Sequence, residues 1–348
     1  MLGGVVNVVT KSGTNAYHGA AWDYLRNTAF DARNYFLPTS QSKPFFHQNQ
    51  FGGAIGGPVL IPKLYDGKNK TFFYGAYQGF RYSRALDNDI LVPTAAELAG
   101  NEADNGQNPI YDPFSTVATA TGYSRTAFPN NQIPADRIDQ RMVAWAKFIY
   151  PAAGPFFNPG ANGSFAANAV DTTPQVQSFN EFSVRLDQQF GAKDSAWFRY
   201  SFSDSTFTSS GGLPGLPTSL IINARNLGGS YVHAFSPTRI AQFQYSYNDV
   251  LDNGETKFKA NTANLIGAVG WSPNFVSGFS TGTNFVPELG IQGINAAGES
   301  LNYTPIATRN HGFQGSITQI IGNHTVKFGM GWITSGFAST INYANLGY

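Results

Sequence analysis

Histidine is the side chain through which this sequence could most readily bind a metal ion or transfer a proton near neutral pH, because cysteine is absent. The five histidines are spread along the chain at His18, His47, His233, His311 and His324. No two of them have the His-x-x-x-His spacing that places two ligands on one face of a helix. The sequence also offers no assignable Ser-His-Asp or paired-carboxylate set. We therefore expect a protein that is not an enzyme and that holds neither a metal ion nor a cofactor.

Two glycine pairs, Gly52-Gly53 and Gly56-Gly57, could cradle a phosphate group in a different setting. A phosphate-binding loop also needs a helix directly after it and a Lys-Ser/Thr pair, and this run has neither. The same glycines suit strands that bend or approach another backbone closely. We interpret them as strand glycines.

The aromatic side chains in the two longest polar segments are the best candidates for binding chemistry. These segments are residues 85–178 and 252–306. Aromatic residues anchor many recognition surfaces, and loops on a rigid scaffold often carry binding sites. The predicted substrate-binding residues are Tyr111, Tyr123, Trp145, Trp271, Phe275 and Phe279. The alternative is that these aromatics only pack the loops onto themselves.

The segment 85–178 is too long for a featureless loop, so it should contain structure of its own. Pro134 and Asp136 give a helix start signal, and Pro151 ends the pattern. Between them an apolar stripe recurs at spacings of four, three and four, formed by Ile138, Met142, Trp145 and Ile149. We predict one small helix that folds this loop onto itself.

Composition indicates the scaffold that must position these loops. Of the 348 residues 42% are apolar and only 12% are charged, against roughly 25% charged in an ordinary soluble domain. Aromatic residues reach 15% and glycine numbers 38, a mixture that all-β architectures favour. No stretch approaches the roughly 18 to 20 consecutive apolar residues of a membrane-spanning helix, so any membrane span must consist of β-strands. The 22 basic and 21 acidic residues form no basic run, so nucleic acid is not an expected partner.

Period-two alternation predicts nine strands in one antiparallel, up-and-down sheet of sequential order. Phe182, Val184 and Leu186, for example, share one face of a strand whose other face is charged and polar. The predicted strands are residues 16–29, 48–60, 71–84, 179–190, 195–206, 225–235, 239–251, 307–321 and 325–341. Bacterial single-chain barrels close with even strand numbers. We therefore expect an incomplete transmembrane barrel whose two edges are the first and last of these strands.

The polar faces carry mostly Gln, Ser, Asn, Thr and Gly, which suits an enclosed aqueous lumen better than a solvated outer surface. Alternation directs these residues to lipid: Phe182, Val184, Leu186, Phe198, Tyr200, Phe202, Phe243, Tyr245, Val326, Phe328 and Met330. It directs Arg185, Arg199, Gln244 and Lys327 to the lumen. Linkers alternate between short (61–70, 191–194, 236–238, 322–324) and long (30–46, 85–178, 207–224, 252–306). Outer-membrane barrels have such periplasmic turns and extracellular loops.

The opening residues 3–15, followed by Tyr17-His18-Gly19, resemble the junction of TonB-dependent receptors at which the last plug strand leads into the first barrel strand. The runs at 30–36, 49–53, 70–79 and 133–139 resemble the Oar-like subgroup of that family. The resemblance implies that residues 1–15 are the end of a plug domain and that residues 16–348 are the N-terminal part of the barrel. It also implies an energy-coupling segment upstream.

Together these inferences predict a bacterial outer-membrane receptor that takes up a substrate through a plugged barrel. The expected partners are outer-membrane lipid, an extracellular substrate that the sequence does not identify, and a TonB-type energy-coupling protein that acts through the upstream segment. Two alternatives remain open from the sequence. One is a non-transporting surface adhesin or structural barrel, and the other is a soluble all-β carbohydrate-binding protein.

Overall fold

The computed structural model describes residues 9–37, 39, 42–86, 88–103, 108–150, 153–154, 167–210, 217–256, 269–270, 301–303, 306–339 and 341–343. Its first strands are β1 (His18–Asn27), β2 (Phe46–Pro58), β3 (Leu60–Ile61), β4 (Tyr65–Asp66), β5 (Thr71–Arg84), β6 (Asn88–Ile90), β7 (Val117–Thr119), β8 (Gly122–Ser124) and β9 (Ala169–Asp171). The remaining strands are β10 (Gln175–Gln189), β11 (Asp194–Ser210), β12 (Pro217–Ser236), β13 (Arg239–Thr256), β14 (Leu301–Tyr303), β15 (Ile306–Ile321), β16 (His324–Ala338) and β17 (Ile341–Tyr343). The helices are α1 (Ala95–Leu98) and α2 (Gln140–Ile149), with 3-10 turns at Pro113–Ser115, Pro129–Asn131 and Ala135–Arg137.

Nine long strands form one sheet in the order β1-β2-β5-β10-β11-β12-β13-β15-β16. Every neighbouring pair in this sheet is antiparallel. The predicted all-β, up-and-down sheet of nine strands is therefore confirmed. Strands β1 and β16 are its edges, and within the described residues the sheet does not close.

The strand register sorts the side chains onto two faces. Phe182 lies opposite Phe202, Val184 opposite Tyr200, and this row of apolar pairs continues through β13, β15 and β16. We call this the apolar face, and its large side chains are exposed, with Phe328 79% accessible. The opposite face, which we call the polar face, carries Arg185, Arg199, Gln244 and Lys327, as the alternation predicted. The division is weaker on β2 and β5, where aromatic residues occupy both faces, and on β1, where Trp22 and Tyr24 lie on the polar face.

Two strands extend further than their sequence pattern suggested. Residues 207–224 were expected to form a long linker, but β11 continues to Ser210 and β12 begins at Pro217, with Thr208 opposite Ser219. The apolar alternation ends before this point, since Ser203 to Thr206 are all polar. Backbone pairing does not require an apolar face, so the strands remain hydrogen-bonded beyond the point at which apolar and polar residues stop alternating. This linker prediction was wrong.

The long segment after β5 folds into a small structure with its own core, and we call it the loop unit. It consists of the described residues between 88 and 171 together with Val269. Strands β6 and β9 pair at its base, β7 and β8 form a hairpin, and α2 packs into the centre. Its core contains Ile90, Val92, Trp145, Ala146, Ile149, Tyr150, Ala169 and Val269. The predicted self-packed loop is thus present.

Helix α2 begins later than predicted. Its N-cap is Asp139, whose side chain accepts a hydrogen bond from the Arg141 backbone N–H at 2.9 Å, whereas Asp136 lies in a 3-10 turn. Asp136 and Asp139 can both cap the N-terminus of a helix, so the sequence pattern alone did not choose between them. The C-terminal half of the predicted apolar stripe is confirmed, because Trp145 and Ile149 are buried. No helix in the described part of the chain is long and apolar enough to cross a membrane.

Candidate functional site

A short N-terminal segment, residues 9–15, lies against the polar face of the sheet. Lys11 and Thr14 line a cavity of about 230 Å³ together with Ala54 and Tyr74, whose side chains project from that face. Gly13 approaches the sheet backbone so closely that a Cβ atom there would lie 2.7 Å from the carbonyl oxygen of Gly57. A larger residue at this position would therefore displace the segment from the sheet.

Arg185 on β10 attaches this segment to the sheet. Its Nη1 donates to the Thr10 Oγ1 at 2.9 Å, and its Nη2 donates to the Asp187 Oδ1 at 2.7 Å. The guanidinium carbon also lies 4.8 Å from the centre of the Trp197 ring. We call these four residues the Arg185 clasp.

The charged side chains of the clasp are largely shielded from solvent. The side chains of Arg185 and Asp187 are only 14% and 20% exposed. An ion pair shielded to this degree is screened less than a surface pair, and a planar guanidinium can hold a carboxylate and a hydroxyl at once. Thr10 and Arg185 are 175 positions apart in the sequence, so this contact links the start of the chain to the middle of the sheet.

A second cavity, of about 640 Å³, indents the sheet next to the clasp and shares Trp197 with it. Gly228, Gly312 and Gly331 provide part of its lining without side chains, while Arg199, Gln244 and Gln314 provide hydrogen-bonding groups. The Nη2 of Arg199 donates to the Asn226 Oδ1 at 2.6 Å, and its buried Nε has no hydrogen-bond partner among the described residues. The polar face here can therefore receive a polar molecule or a polar stretch of chain.

The loop unit has a cavity of its own, of about 570 Å³, between α1 and α2. Leu98, Ile138, Val143 and Ala146 give it apolar walls, and Lys147 contributes one cationic group. Such a mixture of mostly apolar lining with one or two polar groups is common in ligand pockets.

The predicted binding aromatics occupy different environments, and none of those described lines this cavity. Trp145 is fully buried in the core of the loop unit, Tyr111 is 49% exposed, and Tyr123 is 79% exposed on β8. Trp271, Phe275 and Phe279 lie outside the described residues. Tyr111 and Tyr123 could therefore contact a partner as they stand, whereas Trp145 packs the loop onto itself.

Ion pairs fasten the outside of the loop unit. Arg137 Nη2 donates to the Asp112 Oδ1 at 2.8 Å, and the same guanidinium lies over the Phe114 ring at 4.4 Å. The hydrogen bond from Arg137 lowers the pKa of Asp112. The side chain of Arg141 likewise donates to Asp139 and lowers its pKa to about 2. Both carboxylates are therefore charged throughout the neutral range.

Sequence reasoning missed two residues that define these sites. Val269 belongs to the second long connection, yet it is 5% exposed and packs into the core of the loop unit. Thr10 was assigned to the plug junction with no partner in the sheet. No periodicity could have shown either contact, since both join segments far apart in the chain. Among the described residues, no group of three or more His, Asp or Glu side chains could hold a metal ion.

Comparison with known proteins agrees with this geometry. Residues 9–348 match the family model described as an outer membrane beta barrel domain. The chain is 26% identical over 180 residues to the TonB-dependent transporter Oar of Myxococcus xanthus. That alignment covers 49% of this chain but 14% of the transporter, so the chain corresponds to a small part of that relative. No solved structure matches the chain.

Proposed function

This chain belongs to the outer membrane beta barrel domain family, and we propose that it forms part of the wall of a TonB-dependent uptake receptor. The family establishes the outer membrane as its location. In this proposal the apolar face meets lipid and the polar face lines the lumen, as in other barrels of this kind. This location excludes the soluble carbohydrate-binding alternative. The likeness to the Oar transporter supports the receptor role, and the observation that carries the proposal is the N-terminal segment held on the lumen face by the Arg185 clasp.

In this proposal residues 1–15 are the end of a plug, and residues 16–348 are the first part of the barrel. A plug must stay seated at rest and move when an energy-coupling protein pulls on it. The Arg185 clasp would hold the last plug residues through Thr10, while Asp187 and Trp197 keep the guanidinium oriented. Because side-chain hydrogen bonds hold Thr10, this attachment can break and re-form without unfolding the sheet.

The long connections would supply substrate contacts. The loop unit is rigid enough to present a defined surface, since it has its own buried core. Its cavity between α1 and α2, with the exposed Tyr111 and Tyr123, is the binding surface we propose in the described residues. The protein would bind and pass its substrate without chemical change, and so would not be an enzyme.

Cysteine labelling tests the moving segment cleanly, because the chain has no native cysteine. Ala54 lies on the lumen face beneath residues 9–15, so Ala54→Cys should be shielded while the segment is seated. In the full-length protein in living cells, we expect a hydrophilic thiol reagent to label Ala54→Cys faster when the coupling protein is present and the inner membrane is energised. Adding Arg185→Ala should raise labelling even without energy.

Tyr123→Cys serves as the matched control, because this exposed loop position should react equally in all conditions. If neither energisation of the inner membrane nor the Arg185→Ala substitution changes the labelling rate of Ala54→Cys, the uptake mechanism is contradicted. That result would favour a second candidate, a surface adhesin, for which the independently folded loop unit with its exposed aromatics is the supporting observation.

A further inference from the structure

The apolar face carries a row of charges near the end of the sheet that bears the long connections. Arg225 on β12 lies directly opposite Asp249 on β13, and Asp249 lies directly opposite Arg309 on β15. All three project from the same face as Tyr245 and Phe313, because they are an even number of residues away from them along their strands. Charged groups on a face that meets lipid need an explanation.

The contacts within this row leave positive charge available. The Nε of Arg309 donates to the Asp249 Oδ1 at 3.1 Å, and the Arg225 Nη1 lies 3.7 Å from the Asp249 Oδ2. The side chain of Asp249 is 12% exposed, whereas those of Arg225 and Arg309 are 58% and 64% exposed. One shielded carboxylate thus sits between two accessible guanidinium groups, and the row has a net charge of +1.

The distance of the charged row from the turn end of the sheet matches the thickness of the apolar part of the membrane. On β13 the same face carries Arg239 at the turn end, then Ala241, Phe243, Tyr245 and Tyr247, and then Asp249. Ten residues at about 3.4 Å each, tilted by about 45°, span roughly 24 Å across the bilayer, close to the apolar band of about 25 Å in such barrels. The row therefore lies where acyl chains give way to headgroups. Long connections mark the outer surface, so these are headgroups of the outer leaflet.

We propose that Arg225 and Arg309 together bind a phosphate group of an anionic lipid headgroup in the outer leaflet. Guanidinium groups match phosphate geometry and donate two parallel hydrogen bonds to it. Asp249 holds the two arginines at neighbouring positions, and its shielding keeps it from meeting the phosphate directly. Tyr247 and His311, one row closer to the turns on the same face, pack beside the acyl chains with their rings 4.9 Å apart.

The test uses the purified full-length protein in neutral detergent with a glycolipid that carries phosphate monoesters. Bound lipid is counted by native mass spectrometry. Replacing both arginines (Arg225→Gln with Arg309→Gln) should lower the affinity roughly tenfold or more, since charge-assisted hydrogen bonds are lost. Enzymatic removal of the phosphates from the glycolipid should have a similar effect on the unmodified protein. Asp249→Asn should strengthen binding, because the amide oxygen can still accept the hydrogen bond that positions Arg309, while the negative charge that attracts both guanidinium groups is removed.

Arg239→Gln is the matched control, since Arg239 lies on the same face at the opposite end of β13, the strand that carries Asp249, and donates to the Gln319 Oε1 at 2.6 Å. It should leave binding unchanged. Equal binding by the double variant, equal binding of the dephosphorylated lipid, or equal loss in the Arg239 control would each overturn the proposal. Displacement of the lipid by an equal concentration of inorganic phosphate would overturn the lipid assignment, because it would show that the acyl chains add nothing to binding. The assay needs neither energy nor uptake, so its failure would leave the receptor proposal untouched.

Discussion

The nine-stranded sheet and the loop unit bury their apolar residues by opposite rules. In the sheet, Phe328 and Met330 are 79% and 78% exposed, and the more shielded side chains include the charged Arg185. In the loop unit, Trp145 and Val92 are fully buried and the Arg141–Asp139 ion pair is exposed, although Asp171 is also buried. The same chain therefore exposes its large apolar side chains in the sheet and buries them in the loop unit.

This difference shows that the exposure of an apolar side chain depends on what it contacts, which is lipid at the sheet and other side chains in the loop unit. The loop unit supplies its own apolar partners, because its apolar side chains pack against one another in a buried core, as in a protein folded in water. The sheet obtains apolar contact from acyl chains, and neighbouring strands between its two edges supply the backbone hydrogen bonds that a lipid-exposed backbone requires. The following substitutions test this contrast, beginning with the largest expected effect.

Trp145→Ala should destabilise the loop unit by about 3–5 kcal/mol, because it leaves a large cavity in a small core. The nine-stranded sheet should assemble normally, since none of the described residues in that core belongs to one of its strands. Pulse proteolysis of the full-length protein in urea would measure cleavage within residues 88–171, and heat-resistant gel mobility would report the barrel. Tyr123→Ala, at an exposed site, is the control. Failure of barrel assembly in Trp145→Ala would show that the two regions depend on each other.

Tyr200→Arg should impair membrane assembly, because an arginine near the middle of the lipid face costs about 2–4 kcal/mol. Ser201→Arg is the matched comparison one position along β11, where the side chain projects from the polar face. Assembly into the outer membrane can be followed by the same gel assay. Equal assembly of the two variants would contradict the assignment of the faces.

Asn168→Leu should destabilise the loop unit by about 1–3 kcal/mol without affecting the sheet. The side chain of Asn168 is fully buried and replaces a strand partner for Val92: its Oδ1 accepts from the Val92 N–H and its Nδ2 donates to the Val92 carbonyl, both at 2.8 Å. Leucine would leave these backbone groups unpaired. Thr119→Leu, on the exposed hairpin, should change the proteolysis midpoint far less.

Acid should loosen the loop unit slightly. Hydrogen bonds, chiefly from the Arg141 side chain, lower the pKa of Asp139 from its ordinary value of 3.8 to about 2 when the unit is folded. Its contribution to stability is therefore complete above pH 3.8 and disappears as the pH falls through 2. Pepsin cleavage within the loop unit should therefore accelerate over this range. Asp139→Asn keeps a capping oxygen but cannot titrate, and it should flatten that acceleration. An unchanged pH profile in this variant would assign the effect to other carboxylates, such as Asp112.

The sheet was predictable from the sequence, and the loop unit largely was not. Alternation fixes the faces of β10 and β11 because a slip of one residue would reverse every side chain, so the register carries strong sequence signals. The loop unit depends on contacts such as Asn168 with Val92, which are 76 positions apart and leave no periodic trace. The stripe of α2 gave Trp145 and Ile149 a common face, but it could not show that the face is closed by Val269.

The same limit applies to the candidate site. The strand pattern put Arg185 on the lumen face, yet its partner Thr10 and its cation–π contact with Trp197 follow only from the folded arrangement. The aromatic criterion selected Trp145 for binding because large aromatics serve both recognition and packing, and composition does not separate the two roles.

The position of Val269 bears on how this protein could change over time. Surface loops of barrels usually vary independently, so that one can be lengthened, shortened or exchanged while its neighbours stay as they are. Here a residue from the connection between β13 and β15 fills the core of the connection between β5 and β10. The two connections should consequently be inherited as a pair, and a graft that transfers one of them to another barrel would arrive with its core open on one side.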